Sequence, residues 1–462
     1  MALNFFKKTV RADLILYNAS ILTHPSAEPF TGAVACRDGL IEAVGEYDEI
    51  AEMAAGDTLQ TDLRGRYLMP GMINMVSSPV MEVFSGKYAD LSACDSMDSL
   101  SETLTAYIAA HPDDELIFGY GYNEAVFEGL PDDSSAENRR PLSGQTIALL
   151  DEICPDRPLL ILCKSTVSCL LNTAADKIVR STAEEEVVEY ITVPYILDLL
   201  LPFDFEEIHA AARDRIALDL SKGFTSTVSL GSPDYFESLY QDALISLYNE
   251  DELNQRFFGS YMINRPLLPR GLVSRLMTRK TNLNEIDGMI NARLLNMELN
   301  NESSPVKFSQ NAADMIIEET ADKGFGIVVS AAGEPDVQMA LSSLERIRSK
   351  GYKVPFSILS SCDPGKFADS FVYSGTAIWL DPAVLSGRCP AEDHINALTV
   401  QAAEAAGEAD LLGAIEKGKY ADLVVYDKDP RSMSSDELMS AKPYMAVING
   451  KIISSSMMEV AK

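Results

Sequence analysis

Short apolar runs broken by turn residues open and close the chain. Asp13-Leu-Ile-Leu-Tyr-Asn18 reads as a strand, and Ala33-Val-Ala-Cys36 and Leu40-Ile-Glu-Ala-Val44 flank Arg37-Asp38-Gly39. An Asp-Gly pair between two apolar runs predicts a tight hairpin, because both central positions of that turn need positive φ. The C-terminal end repeats the pattern, with Ala421-Asp-Leu-Val-Val-Tyr426 followed by Met445-Ala-Val-Ile448, Asn449-Gly450 and Lys451-Ile-Ile453. Short antiparallel strands at both termini point to one small β domain assembled from the two ends.

The middle of the chain changes period. Phe325-Gly-Ile-Val-Val329 is a buried-strand run, and Val337, Ala340, Leu341, Leu344 and Ile347 then mark one face of a helix. Gly351 follows that helix, and Val354-Pro-Phe-Ser-Ile-Leu359 returns to strand character. Asp363-Pro364 reads as an N-cap and first helical residue, with Thr376-Ala-Ile-Trp-Leu380 as the next strand. Upstream, Phe205, Ile208, Ala212, Ile216 and Leu220 form a helical stripe ahead of a strand near residues 225–230, and Leu159-Leu-Ile-Leu162 is a strand followed by a helix. Alternation at this spacing implies parallel crossovers, and so many units favour a (β/α) barrel over an open sheet.

Composition narrows the function classes. With 462 residues, 47% hydrophobic and 23% charged, the chain has material for a large core and for two or three domains. The formal charge of −31 disfavours duplex nucleic acid and anionic membrane surfaces as partners. No apolar run reaches the roughly 18–20 residues of a membrane span. The first residues lack the basic-then-apolar order of a signal peptide, and seven Cys without close pairing fit a reducing, cytoplasmic setting. The four histidines, His24, His111, His209 and His394, are scattered, so a three-His metal site would need three distant residues to converge.

Several motifs resemble the amidohydrolase superfamily. Asp62-Leu-Arg-Gly65-Arg-Tyr-Leu-Met-Pro70-Gly71-Met-Ile-Asn74 is similar to the segment leading from the family's β domain into its first barrel strand. Leu412-Gly-Ala-Ile-Glu-Lys-Gly418-Lys-Tyr-Ala421-Asp422, closing with Val447-Ile-Asn449-Gly450-Lys451, resembles its C-terminal signature. Gly119-Tyr-Gly121-Tyr-Asn-Glu124, Pro155-Asp-Arg157-Pro158 and Asn172-Thr-Ala-Ala resemble landmarks of the amidohydrolase-3 branch, which includes the N-substituted formamide deformylases. The resemblance implies a TIM-like barrel with a composite β-sandwich domain, divided as 1–69 and 412–462 for the β domain and 70–411 for the barrel. It also implies hydrolysis of C–N bonds by one or two divalent metals at the C-terminal ends of the barrel strands.

Residue by residue, the metal ligands of that pattern are replaced. The first-strand His-x-His pair, after Asn74, falls on Val76 and Ser78, and the substrate-side His falls on Val167. The strand that carries the bridging Lys aligns with Leu295-Asn296, which puts Asn296 in its place. The later strand ends read Ser330-Ala-Ala-Gly333-Glu334 and Ile358-Leu359-Ser360 where the family has His. Valine cannot bind zinc, and serine is a poor ligand for it. About 15 residues between Leu380 and Thr399 are too few for a complete βα unit, so the last unit of the barrel is expected to be shortened or missing.

The expectation is therefore a degenerate amidohydrolase-like protein, with no metal or other cofactor. Its former metal or catalytic positions, Asn74, Val76, Ser78, Val167, Asn296, Ser330, Glu334 and Ser360, become pocket candidates for a small-molecule ligand. Assembly as a homodimer or with an active relative is the accompanying expectation. The rival reading is an active C–N hydrolase with a rebuilt or metal-free site at the barrel mouth. The remaining candidates have plainer readings: Cys163, Cys169 and Cys362 as buried thiols, Lys164 as a loop lysine, Glu334 and Asp336 as a solvated loop, His209 as an exposed helix residue, and Glu184-Glu-Glu186 as a solvated face. His394, in the shortened region, is the histidine to place relative to the pocket.

Overall fold

The computed structural model describes residues 11–77, 87–127, 144–163, 169–182, 193–201, 205–231, 234–263, 271, 274, 276–278, 286, 288–299, 307–367, 378–385 and 390–453. In chain order the first strands and helices are β1 (Leu14–Ile21), β2 (Phe30–Arg37), β3 (Leu40–Gly45), α1 (Tyr47–Ala51), β4 (Leu59–Asp62), β5 (Tyr67–Pro70), β6 (Met72–Ser77), β7 (Ala89–Asp90), α2 (Met97–Ala110) and β8 (Ile117–Tyr122). Then come α3 (Gly144–Ile153), β9 (Leu159–Cys163), β10 (Cys169–Leu171), α4 (Thr173–Thr182), α5 (Val193–Leu200), α6 (Phe205–Leu220), β11 (Phe224–Ser229), α7 (Asp234–Asn249), β12 (Arg256–Ile263) and β13 (Ile290–Leu299). The remainder is α8 (Gln310–Asp322), β14 (Gly326–Ala331), α9 (Glu334–Ser349), β15 (Phe356–Leu359), β16 (Ile378–Leu380), α10 (Pro382–Leu385), α11 (Ala391–Asn396), α12 (Ala402–Ala406), β17 (Leu423–Tyr426), α13 (Ser435–Ser440), β18 (Met445–Ile448) and β19 (Lys451–Ile453). A π-helical turn, Ala397–Gln401, joins α11 to α12.

The chain divides into two compact units, one of residues 1–77, 213–231 and 246–462, the other of residues 78–212 and 232–245. In the first unit the termini build a single eight-stranded sheet in the order β19-β18-β17-β5-β1-β2-β3, with β4 paired to β1. The hydrogen bonds run through one mixed sheet built from both ends of the chain. Both predicted hairpins form as the sequence demands: Asp38 and Gly39 have φ of 49° and 78°, and Asn449 and Gly450 have 50° and 75°. Alternating Leu14, Leu16, Val34, Leu68, Leu423, Val425 and Val447 supply the apolar face of this sheet.

The same unit holds a seven-stranded, wholly parallel sheet in the order β16-β15-β14-β13-β12-β11-β6. Its core is made where Leu295, Met297, Ile327, Val329, Phe356 and Ile358 meet Ile316, Ile317, Val337, Leu341 and Leu344 of α8 and α9. The passage from one sheet to the other is tight. At Gly71, between β5 and β6, an added Cβ would lie 2.0 Å from Thr225 Oγ1 and 2.7 Å from Thr225 Cβ, so only glycine fits.

A buried charge cluster joins the two sheets. Arg256, the first residue of β12, donates through Nε to Asp422 Oδ2 at 2.5 Å and through Nη2 to Asp422 Oδ1 at 3.1 Å, and both side chains are wholly buried. The same guanidinium donates to Asn449 Oδ1 and to the Gly288 carbonyl and stacks 3.5 Å over the Tyr420 ring, while the Asn449 amide donates to Asp422 Oδ1. The Asp422 and Asn449 of the C-terminal motif are thus structural partners of Arg256, and each nitrogen of the fork has an acceptor.

The parallel sheet begins at β6 and ends at β16, and among the described residues no strand lies between β16 and β17. The π turn packs on both β6 and β16, and α10 and α12 pack on β6. Helix therefore occupies the side on which a further βα unit was expected to be shortened or missing. Asp363-Pro364 starts a 3₁₀ turn, Pro364–Phe367, where a helix start was expected, and residues 368–377 lie outside the described residues.

The second unit carries a four-stranded sheet, β10-β9-β8-β7, with β7, β8 and β9 parallel and β10 antiparallel to β9. The helix expected straight after Leu159–Leu162 is preceded by β10, which is too short to read from period. Arg157 gathers the carbonyls of Ile108, His111, Pro112 and Asp114 at the end of α2, and Asn172 accepts from the Leu159 and Ala175 amides while donating to the Cys154 and Arg157 carbonyls. These two landmarks hold turns in place. Arg157 also puts positive charge where the helix dipole is negative.

Candidate functional site

In sheets of parallel strands, functional groups gather at the C-terminal strand ends. There the alternation of β13 and β14 sends Leu295, Met297, Val329 and Ala331 into the helix-packed core, and Asn296 and Ser330 to the opposite face. Asn296 is buried and Ser330 half-buried, and they bond to each other: Ser330 Oγ donates to Asn296 Oδ1 at 3.0 Å, while Asn296 Nδ2 donates to the Leu230 carbonyl at 2.8 Å. Ser360, at the end of β15, donates to the Ala331 carbonyl at 2.8 Å and accepts from the Cys362 amide at 3.3 Å. Ser260 of β12 donates to the Ser229 carbonyl at 2.6 Å, and Ser229 Oγ accepts from the Gly231 amide at 3.1 Å. The result is a belt of neutral hydroxyl and amide groups stitched to backbone across β11 to β15.

The other sequence candidates fall as follows. Asn74 is half-buried in β6; Val76 lies in the same strand, and Ser78 and Val167 lie outside the described residues. Lys164 and Glu184-Glu-Glu186 also lie outside them. Glu334 and Asp336 are not loop residues. They form the first turn of α9, where the helix N-terminus favours carboxylates, with Glu334 exposed and ion-paired to Lys366 and Asp336 fully buried.

His209 is buried, against the expectation of exposure, with its ring 5.9 Å from that of Phe205. His394 is wholly buried in α11, so it does not border an open pocket, and burial holds its imidazole below the ordinary value of 6.5. Cys163 and Cys169 are buried thiols outside any disulfide, Cys169 being pushed up to about 12 by desolvation, and Cys362 is half-buried. Among the described residues no three His, Cys, Asp or Glu side chains come together as a group that could hold a metal ion.

The belt does not fit the metal its fold class implies. Zinc takes imidazole, thiolate or carboxylate donors. Asn296, Ser330 and Ser360 offer a neutral amide and two hydroxyls, of which Asn296 and Ser330 bond to each other and Asn296 and Ser360 to backbone. Sequence reasoning located these three positions but missed Ser229 and Ser260. Their neighbours in sequence carry no motif, and only the register of β11 with β12 brings them together.

A family model of the amidohydrolase family matches residues 61–355 and 304–454. The chain belongs to the amidohydrolase family. Among curated proteins it is 25% identical to Protein LONG AFTER FAR-RED 3 of Arabidopsis thaliana over 179 residues, 38% of this chain and 28% of that protein. It is 28% identical to the putative amidohydrolase YtcJ of Bacillus subtilis over 148 residues, 31% of this chain and 25% of the relative. The chain thus spans about a quarter of the length of the curated relatives it matches. Among solved structures, an uncharacterized metal-dependent hydrolase from Pyrococcus furiosus aligns with a TM-score of 0.56 at 17% identity, covering 91% of this chain and all of that one. Atrazine chlorohydrolase TrzN from Arthrobacter aurescens TC1, complexed with zinc, aligns at 0.53 and 12% identity over 97% of each chain. These likenesses show the fold, a mixed α/β architecture of TIM-barrel type.

Proposed function

We propose that this chain is an amidohydrolase-family protein whose strand ends bind a small molecule without metal-assisted hydrolysis, acting alone as a homodimer or with an active relative. The observation that carries the reading is the Asn296–Ser330 pair and its continuation through Ser360 and Ser260, a hydrogen-bonded belt with no charged group among its members. The donors of this belt are taken up by the protein itself, and its members offer a metal no imidazole, thiolate or carboxylate and a nucleophile no base. On this reading the protein belongs to the formamide deformylase-like branch, keeps residues 1–69 and 412–462 as one β domain around a 70–411 barrel, and resides in the cytoplasm.

The test is elemental analysis of purified protein before and after incubation with zinc and with manganese, paired with an assay of N-substituted formamide hydrolysis. Sub-stoichiometric metal and no hydrolysis in every sample is the expected result. One or two tightly held metals per chain, or hydrolysis above the protein-free rate, overturns it.

A further inference from the structure

The two edges of the parallel sheet, β6 and β16, meet helix, and the π turn Ala397–Gln401 touches both. A π turn within a helix is a local defect that tends to persist where a segment has a job beyond packing. Immediately before it, on α11, sits His394, with none of its surface exposed. Its Nε2 lies 3.3 Å from the Leu385 carbonyl of α10, so this nitrogen carries the proton and donates. Its Nδ1 is then a bare acceptor, fully shielded and, among the described residues, without a partner. Leu385 of α10, Ile395 next to it in sequence, and Ala397 and Leu398 of the π turn are all buried.

Among the described residues, the titratable groups on the elements packed against this helix offer the ring no counter-charge. On its own helix, Glu392 and Asp393 are exposed to solvent. α10 and the π turn have no titratable side chain. Of the two other elements packed on α11, the 3₁₀ turn Pro430–Ser432 contributes Arg431, engaged by Asp429 and Glu28, and α13 contributes exposed Asp436 and Glu437. Glu408, two residues past α12, is half-buried and bonded to Asn291. A proton added at Nδ1 would place an N–H without an acceptor among the described residues, and a charge without a counter-ion there, in a position shut off from water.

We propose that α11, the π turn and α12 form an acid-released closure of the parallel sheet, latched between β16 and β6 while His394 is neutral and freed when His394 is protonated. The sign follows from linkage. The neutral ring is favoured in the closed state, so closure is complete above the imidazole's ordinary value and weakens as pH falls below it. Burial lowers the ring's own pKa by more than the hydrogen bond to the Leu385 carbonyl raises it, in keeping with that direction. Each pH unit below 6.5 then raises the open-to-closed ratio by up to about tenfold, until the closed state itself binds the proton.

Hydrogen–deuterium exchange of the full chain between about pH 7.5 and 5.5, corrected for intrinsic rates, tests this above the sequence pI of 4.4. Peptides covering residues 390–406 are expected to lose up to about tenfold protection at the acid end, while peptides from α8 and α9 keep theirs. His394→Phe, which cannot take up a proton, is expected to hold the same protection at both pH values. His394→Gln keeps a donor for the Leu385 carbonyl and serves as the second non-titrating variant should the Phe form fail to fold. Protection that does not change with pH in the wild type overturns the proposal. So does a loss shared equally by α8 and α9, or an identical loss in the non-titrating variants, which would assign the effect to carboxylates such as Glu408.

Discussion

Replacing Asp422 by Ala is expected to be among the costliest single changes in the chain. It strips two acceptors from the Arg256 fork, at 2.5 and 3.1 Å, and the acceptor of the Asn449 amide, all in a region where both charged side chains have no exposed surface. An uncompensated buried guanidinium left by removing its partner costs about 3–5 kcal/mol. The Gly288 carbonyl, Asn449 Oδ1 and the Tyr420 ring retain some of its interactions, which places the expected loss near the lower figure, about 3 kcal/mol.

Urea unfolding can be followed through the single tryptophan, Trp379 in β16, which packs against the parallel-sheet core beside Phe367. The midpoint should fall, and Arg256→Lys should fall nearly as far because an ammonium cannot reproduce the fork. The double variant Arg256→Met, Asp422→Leu should regain most of the loss, since apolar replacement of a whole buried pair is close to neutral. A cost below about 1 kcal/mol for Asp422→Ala, or a double variant no better than the single, would refute the assignment of this pair as the joint between the sheets.

Three further outcomes follow from the same reading. Gly71→Ala should lower Tm and soluble yield by an overpacking cost of about 1–3 kcal/mol or more, and Thr225→Gly in the same chain should restore part of it, as measured by thermal melts. Asn172→Ala should leave the Leu159 and Ala175 amides and the Cys154 and Arg157 carbonyls short of a partner, costing about 3 kcal/mol and opening the second unit first to limited proteolysis. With Cys169 pushed up to about 12, its thiolate fraction near neutral pH is minute, so thiol titration of the native chain should modify half-buried Cys362 well before Cys163 or Cys169, and denaturation should abolish the difference.

What could be read from the sequence depended on how far apart the deciding residues lie. The Asp38-Gly39 and Asn449-Gly450 hairpins were legible because the turn alone dictates positive φ, and the α9 stripe of Val337, Ala340, Leu341, Leu344 and Ile347 was legible because burial repeats with the helix. The three-residue β10 gave no period to read. His209 was expected to lie off the stripe of α6, yet at about 100° per residue it falls between Ile216 and Leu220 on that same buried face. The spacing between Leu380 and Thr399 excluded a complete βα unit, but not the helical form that replaced it, since that choice is made by β6, more than 300 residues earlier in the chain.

The candidate site divides in the same way. Replacement of the ligand types at Asn296, Ser330 and Ser360 was visible one position at a time. That Asn296 and Ser330 bond to each other and Ser360 to the Ala331 carbonyl depends on strand register, as does the pairing of Arg256 with Asp422 across 166 residues. A motif match alone would have assigned Asp422 and Asn449 to the family's chemistry. Their geometry instead assigns them to holding the sheets together, so a fold can keep its signature residues while the groups at its strand ends are rewritten.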